Sequence, residues 1–225
     1  MSRFRVLSGG RRGTGRWAVV VSSICTSILA AAAGPAAQPS GSGTIGQSLG
    51  SVFELPAFCD YVIESKAGFD AARGYSLMGP TFHHIHHYCW ALGNMRRAQD
   101  PTIGEQARRG YYAGAIKDMQ YVIARATPDF VLLPEIFLRM GQAAFGSGDV
   151  AVALEYFESS RRAKADYWPA YIEIARTNLS FGRRQAAEAA LKAGLAASPD
   201  EPNLKQALAQ LSARPVGAKK PSRSN

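Results

Sequence analysis

Acidic residues are missing from both ends of this 225-residue chain. Positions 1–33 contain five arginines and positions 214–225 contain four basic residues, and neither stretch has an aspartate or a glutamate. The middle therefore keeps 17 of the 26 basic residues against all 17 acidic ones. A nucleic-acid-binding domain concentrates positive charge on its folded surface. The middle of the chain is thus neutral although the whole chain has a formal charge of +9, and this argues against a nucleic-acid partner.

Long apolar runs are also lacking, except for one at the N terminus. That run spans residues 17–33, follows the five arginines, and ends in three alanines before Gly34. A basic start, an apolar stretch and small residues are typical of a cleaved export signal. We predict such a signal over residues 1–37 and a periplasmic or secreted mature protein. The alternative is an uncleaved signal that anchors the protein in the inner membrane, which is the only membrane contact we expect.

Cysteine is scarce, with three residues in the chain. Cys25 lies inside the predicted signal, so the mature protein would keep only Cys59 and Cys89. An even pair of cysteines in an exported chain predicts a disulfide.

Composition and periodicity divide the rest of the chain. Residues 38–52 are rich in Gly and Ser and predict a flexible linker, and residues 214–225 predict a disordered basic tail. Between them the spacing of apolar residues predicts helices, with a short one at 56–63, where an extended segment is the alternative, and a glycine-containing loop at 67–81. The next helix is expected to begin near Thr81 or Phe82 and to end before Asp100-Pro101. Five more are expected at 105–126, 135–146, 150–164, 167–181 and 185–197, and a shorter one at 203–213.

One fixed spacing recurs in the C-terminal half. Gly148, Ala153 and Phe157 return as Gly182, Ala187 and Leu191. This pattern resembles the tetratricopeptide repeat, a 34-residue helix-turn-helix unit. Gly141 and Pro199 also fit the repeat, whereas in the second copy Ala175 replaces its Gly and Leu191 its aromatic residue. Leu92-Gly93 with Ala115 and Met119 fit more loosely.

The resemblance implies an all-α fold in which antiparallel helix pairs stack as a short right-handed solenoid of about three repeats plus a capping helix. Residues 53–133 would form an N-terminal helical segment and a divergent repeat, and residues 134–201 two regular repeats. Residues 202–213 would form the capping helix.

The resemblance also implies a binding groove, because the first helix of each pair lines the concave face in this family. A peptide or a helix from another envelope protein would bind there, and the protein would act as a scaffold or adaptor. The implied groove residues are His87, Trp90, Asn94, Arg97, Leu138, Gln142, Phe145, Ile172, Arg176 and Leu179. For Trp90, Phe145 and Leu179 a core position between stacked helices is the alternative.

All four histidines lie in one window, namely His83, His84, His86 and His87. On an α-helix, His83 and His87 would share a face, so a divalent metal or a redox-linked site is an alternative function. The other interpretation is that some rings pack against the N-terminal segment while others face solvent. No His-Glu-x-x-His or Cys-x-x-Cys-His sequence occurs, and Gly46–Gly50 matches a nucleophile elbow only within the linker. We therefore predict no catalytic residues, no enzyme activity and, this metal aside, no cofactor.

Overall fold

The computed structural model describes residues 55–64 and 71–213 of the chain. The predicted export signal, the linker and the basic tail lie outside the described residues. Within them the helices are α1 (Ala57–Glu64), α2 (Ala71–Met78), a 3₁₀ helix (Gly79–His84), α3 (Ile85–Ala98), α4 (Glu105–Ile123), α5 (Leu133–Ser147), α6 (Val150–Ala163), α7 (Trp168–Ser180), α8 (Arg184–Ala197) and α9 (Pro202–Ala213). The described part contains no strand, and none of its helices is long and apolar enough to cross a membrane.

Helices that follow each other in the chain pack together. The strongest contacts join α3 with α4, α5 with α6, and α7 with α8, and α9 packs against α8. Short connections make such neighbours antiparallel. The all-α prediction, with stacked helix pairs and a final capping helix, is confirmed.

Two glycines end the first helices of the regular pairs. Gly148 has a φ of 95° and Gly182 a φ of 71°, which is left-handed backbone that glycine adopts without steric cost. After each glycine the next amide closes the turn, because Asp149 donates to the carbonyl of Ala144 at 2.9 Å and Arg183 to that of Asn178 at 2.9 Å. The same turn therefore occurs once in each regular repeat, at equivalent positions.

The apolar core follows the stack in three clusters. The first joins α1, the 3₁₀ helix, α3, α4 and α5, and its largest fully buried side chain is Tyr88. The second lies around Phe157 between α5, α6 and α7, and the third around Leu191 between α7, α8 and α9. Each cluster draws on consecutive helices, as expected for a repeat protein in which each unit contacts its neighbours.

The predicted loop at 67–81 is wrong over its described part. Residues 71–78 form α2, and the 3₁₀ helix follows directly, so α3 begins at Ile85 and not near Thr81 or Phe82. Gly74 indicates a loop in the sequence, but it lies in α2 against the ring of Phe82. A Cβ at position 74 would lie 2.4 Å from the Phe82 Cζ atom. Gly74 therefore allows the ring of Phe82 to pack closely against α2.

Candidate functional site

A row of hydrogen-bonded polar side chains connects the first helices of the three pairs. Tyr88 of α3 donates its hydroxyl hydrogen to Glu135 Oε1 of α5 at 2.8 Å. On α5, Arg139 lies 3.4 Å from the same oxygen and donates to Gln142 Oε1 at 3.2 Å. Gln142 then donates to Glu173 Oε1 of α7 at 2.9 Å. We call Tyr88, Glu135, Arg139, Gln142, Glu173 and Arg176 the inner row.

Arg176 completes the inner row, since its guanidinium lies 3.3 Å from Glu173 Oε1. The repeat spacing accounts for the pattern, because Arg139 and Glu173 are one repeat length apart in the sequence, as are Gln142 and Arg176. Equivalent positions on adjacent first helices therefore supply the row, and the hydrogen bond between α5 and α7 joins Gln142 to Glu173. Helices that supply side chains from equivalent positions produce a repeated binding surface in this kind of fold.

Burial and charge pairing set the protonation states in the row. Burial, together with the negative charge of Glu135, raises the pKa of Tyr88 well above its usual value. Burial alone would lower the pKa of Arg139, but Tyr88 and Glu135 outweigh this effect and raise it. The tyrosine is therefore a neutral hydroxyl donor at physiological pH and the arginine a permanent cation.

The predicted groove residues of α5 and α7 are partly wrong in register. Leu138 is 3 % exposed and Ile172 is 2 % exposed, so both are core residues and present no surface to a ligand. On α5 the next residue, Arg139, is partly exposed, whereas on α7 the next residue, Glu173, is buried and the accessible polar position is Arg176. Phe145 and Leu179 are half-buried against the core clusters, which agrees with the core alternative for both.

The predicted groove residues of α3 lie on a different surface. His87 Nδ1 is 2.8 Å from Asp118 Oδ1 of α4, and a Cβ on Gly114 of α4 would lie 3.4 Å from Asn94 Nδ2. Both side chains therefore face the partner helix of their own pair. Trp90 is 46 % exposed, so the core alternative is wrong for this residue, and Arg97 is exposed.

The histidines belong to a cluster of rings beside Trp90. The ring centroids of His86 and His87 are 4.6 Å apart, and Trp90 meets both edge-on at 4.9 Å and 4.8 Å. Tyr121 of α4 lies 3.8 Å from the His87 ring. These rings therefore pack against Trp90 and Tyr121 of α4, whereas the packing interpretation placed them against the N-terminal segment. His83 is exposed, as expected for the rings that face solvent.

The geometry expected for a metal site is not present in the part of the chain that the structure describes. His83 and His84 lie in the 3₁₀ helix, so His83 and His87 do not share one α-helical face as predicted. Among residues 55–64 and 71–213, no group of three or more His, Cys, Asp or Glu side chains could hold a metal ion. His86 Nδ1 instead hydrogen-bonds the carbonyl oxygen of His83 at 3.1 Å.

Acidification is expected to destabilise the protein as the pH falls below about 6.5, the usual histidine pKa. Burial is the main cause that lowers the pKa of His84 and of His86, and it is reinforced by neighbouring His83 and His87 respectively. The unfolded histidines bind protons first, so this stability is present above a pH of about 6.5 and is lost as the pH falls through the folded pKa values. Chemical denaturation at a series of pH values on both sides of this point measures the slope.

The matched control for this measurement is the double variant His84→Gln/His86→Gln, which removes the two rings whose pKa is lowered in the folded protein. Its free energy of unfolding should depend less on pH over the same window. Asp118 and Arg125 of α4 face the cluster and are unchanged in the variant, so the comparison isolates the two histidines. An equal slope in the variant and in the wild type would assign the pH dependence to other groups.

Cys59 and Cys89 are joined by a disulfide in the structure, with 5.4 Å between their Cα atoms. The bond ties α1 to α3, and both residues are buried. Phe58 and Val62 of α1 pack against the first core cluster beside it. The N-terminal helix is thus fixed to the divergent pair by one covalent bond and a small apolar contact.

Several residues of the site were not foreseen from the sequence. Tyr88, Glu135, Arg139 and Glu173 carry most of the inner row, and Asp118 and Tyr121 hold the histidine rings. A signal was present for two of them, because Arg139 and Glu173 are polar residues at equivalent repeat positions. The other contacts depend on which helices face each other, which a single sequence does not state.

Comparison with known proteins finds a family model for one segment of the chain. The family model described as tetratricopeptide repeat matches residues 144–211, and no curated protein matches the chain. Among the solved structures, one match is titled "First TPR of Spaghetti (RPAP3) bound to HSP90 peptide SRMEEVD", with 18 % identity and a TM-score of 0.38. The match covers 55 % of this chain and 93 % of that one. The repeat match over residues 144–211 and the stacked helix pairs agree with the resemblance of this part of the chain to the tetratricopeptide repeat.

Proposed function

We propose that this protein is an exported scaffold or adaptor that binds a peptide or a helix of an envelope protein along its inner row. The observation that carries the proposal is the hydrogen-bonded row that crosses from α3 to α5 to α7. Repeat arrays present first-helix side chains to extended ligands in this way. The Arg176 side chain is 38 % exposed, so the row offers accessible polar atoms to a partner.

Export is supported by the arginine-rich start, the apolar run at 17–33 and the alanines that end it. A disulfide between Cys59 and Cys89 fits the oxidising space outside the cytoplasm. The proposed location is the periplasm or the exterior, with a membrane-anchored form as the alternative. The role is non-catalytic, and the metal- or redox-linked alternative has no supporting ligand group among the described residues.

Site-specific photo-crosslinking tests the proposal. A photoreactive phenylalanine analogue at Arg176, on the inner row, is expected to capture a partner in the cell envelope. The matched control is Arg162, an exposed arginine of α6 that hydrogen-bonds Ser159. Arg176→Ala should weaken binding of the captured partner by about 1 to 2 kcal/mol, as expected for an arginine at an interface centre.

The two crosslinking positions separate the outcomes. Adducts at position 176 but not at position 162 would support binding along the inner row. Equal adducts at both positions would contradict a specific site, and adducts at 162 alone would move the binding surface to the second helices. No adduct at either position would count against the scaffold function.

A further inference from the structure

The inner row carries no net charge. Its two arginines face its two glutamates, with Arg139 3.4 Å from Glu135 and Arg176 3.3 Å from Glu173. Gln142 bridges the two pairs through hydrogen bonds to Arg139 and Glu173. Each charge in the row already has an opposite charge beside it, so the row offers a ligand no uncompensated cation or anion.

The surrounding repeats are neutral as well. Residues 134–213 hold nine basic and nine acidic residues. A balanced distribution produces little long-range field, so it does not steer charged ligands towards the surface. This neutrality is local to the regular repeats, because residues 71–133 hold seven basic and four acidic residues. The inner row lies mainly on α5 and α7, within the neutral part.

A charged ligand group would be poorly accommodated in this row. A carboxylate that approaches Arg139 or Arg176 competes with the glutamate already paired to it and meets that glutamate as a like charge. An ammonium group that approaches Glu135 or Glu173 competes with the arginine already paired to that glutamate and meets the arginine as a like charge. Moving such a group out of water costs free energy unless a new partner replaces its hydration. The side chain of Glu173 is only 7 % exposed, so it cannot turn fully into water to release Arg176.

Uncharged amides suit the same atoms. A carboxylate has about four acceptor positions and a guanidinium five donors, and the hydrogen bonds within the row use only some of them. Among the partly exposed members of the row, Glu135 accepts, Arg139 and Arg176 donate, and Gln142 does both, so acceptors and donors alternate there. The backbone of an extended peptide also alternates N–H donors with C=O acceptors. We infer that the inner row binds an extended, uncharged segment of a protein partner, chiefly through that segment's main-chain amides and not through acidic or basic side chains.

This inference rests on the proposed function, and a display library of random heptapeptides tests it with the mature protein. Peptides enriched by the wild type should have net charges near zero. Salt weakens binding only where it screens an attraction between charges, so their Kd values should change by less than about twofold between roughly 50 and 500 mM salt. The variant Glu135→Gln/Glu173→Gln removes the carboxylate charge beside each arginine. It should shift the enriched set to acidic peptides and bind them about tenfold more tightly than the wild type at low salt.

The control variant Glu155→Gln/Asp200→Asn removes two exposed carboxylates outside the row. It changes the net charge equally and should keep the wild-type preference, and circular dichroism checks that both variants fold. Enrichment of acidic or basic peptides by the wild type, with strong salt dependence, would overturn the inference and leave the proposed function standing. The same shift in both double variants would also overturn it, since net charge alone would then suffice. Enrichment of no peptide would overturn the proposed function and the inference together.

Discussion

Removal of the Cys59–Cys89 disulfide is expected to lower the free energy of unfolding by about 3 to 4 kcal/mol, from the loop-closure estimate for a separation of 30 residues. The variant Cys59→Ala/Cys89→Ala should therefore melt about 6 to 15 °C below the wild type. The loss should be largest at the N-terminal end, because α1 is only two turns long and helices of that length are unstable alone. Urea titration measures the free energy.

Hydrogen exchange shows where the disulfide acts. Amides of α1 should lose protection in the double variant, while those of α7 to α9 keep it, since each repeat contacts only its neighbours. Either single variant should cost as much as the double one, because one cysteine cannot form the bond. The bond itself is checked by mass spectrometry of the unreduced, alkylated mature protein. Two alkylated thiols at positions 59 and 89 would refute the prediction.

The helices of the regular repeats could be predicted because their end signals are local. Gly148 and Gly182 end their helices in left-handed backbone, and Pro134 and Pro169 lie in the first turns of α5 and α7. These signals act within about one turn of a helix end. The predicted bounds of α5 to α9 therefore agree with the structure within about two residues.

The errors arise where a residue's role depends on a distant part of the chain. Gly74 permits the approach of Phe82, and only the folded contact distinguishes it from a loop glycine. Leu138 and Arg139 are adjacent on α5, and the position of α7 decides which one is buried. Glu135, Arg139 and Glu173 were missed for this reason although α5 and α7 were correctly placed, whereas Gln142 and Arg176 of the inner row were among the predicted groove residues.

Gly141→Ala is expected to destabilise the protein, although alanine usually favours a helix. A Cβ at position 141 would lie 2.4 Å from two ring carbons of Phe157, and Phe157 is 1 % exposed, so the ring has little room to move. Overpacking of this kind costs about 1 to 3 kcal/mol. Phe157→Ala, which empties the same site, should cost about 3 to 5 kcal/mol.

The second repeat has a pair of residues at these positions that avoids the steric clash. It has Ala175 and Leu191 where the first has Gly141 and Phe157, and both are completely buried. A larger residue on the first helix is thus accompanied by a smaller one on the second. The double variant Gly141→Ala/Phe157→Leu reproduces this pair in the first repeat. It should be more stable than the sum of the two single changes predicts, with a coupling free energy of about 1 kcal/mol or more.

The matched control is Gly110→Ala, also inside a helix, where an added Cβ has no atom within 4 Å. There the helix propensity of alanine acts alone and should stabilise the protein by roughly 0.5 to 1 kcal/mol. The same substitution is therefore expected to have opposite signs at positions 141 and 110. Urea titration measures the free energy of unfolding of Gly110→Ala, Gly141→Ala, Phe157→Ala, Phe157→Leu and the double variant. If Gly141→Ala and Phe157→Leu add within about 0.5 kcal/mol, the contact between the two helices of a pair does not explain why the two repeats differ at these positions.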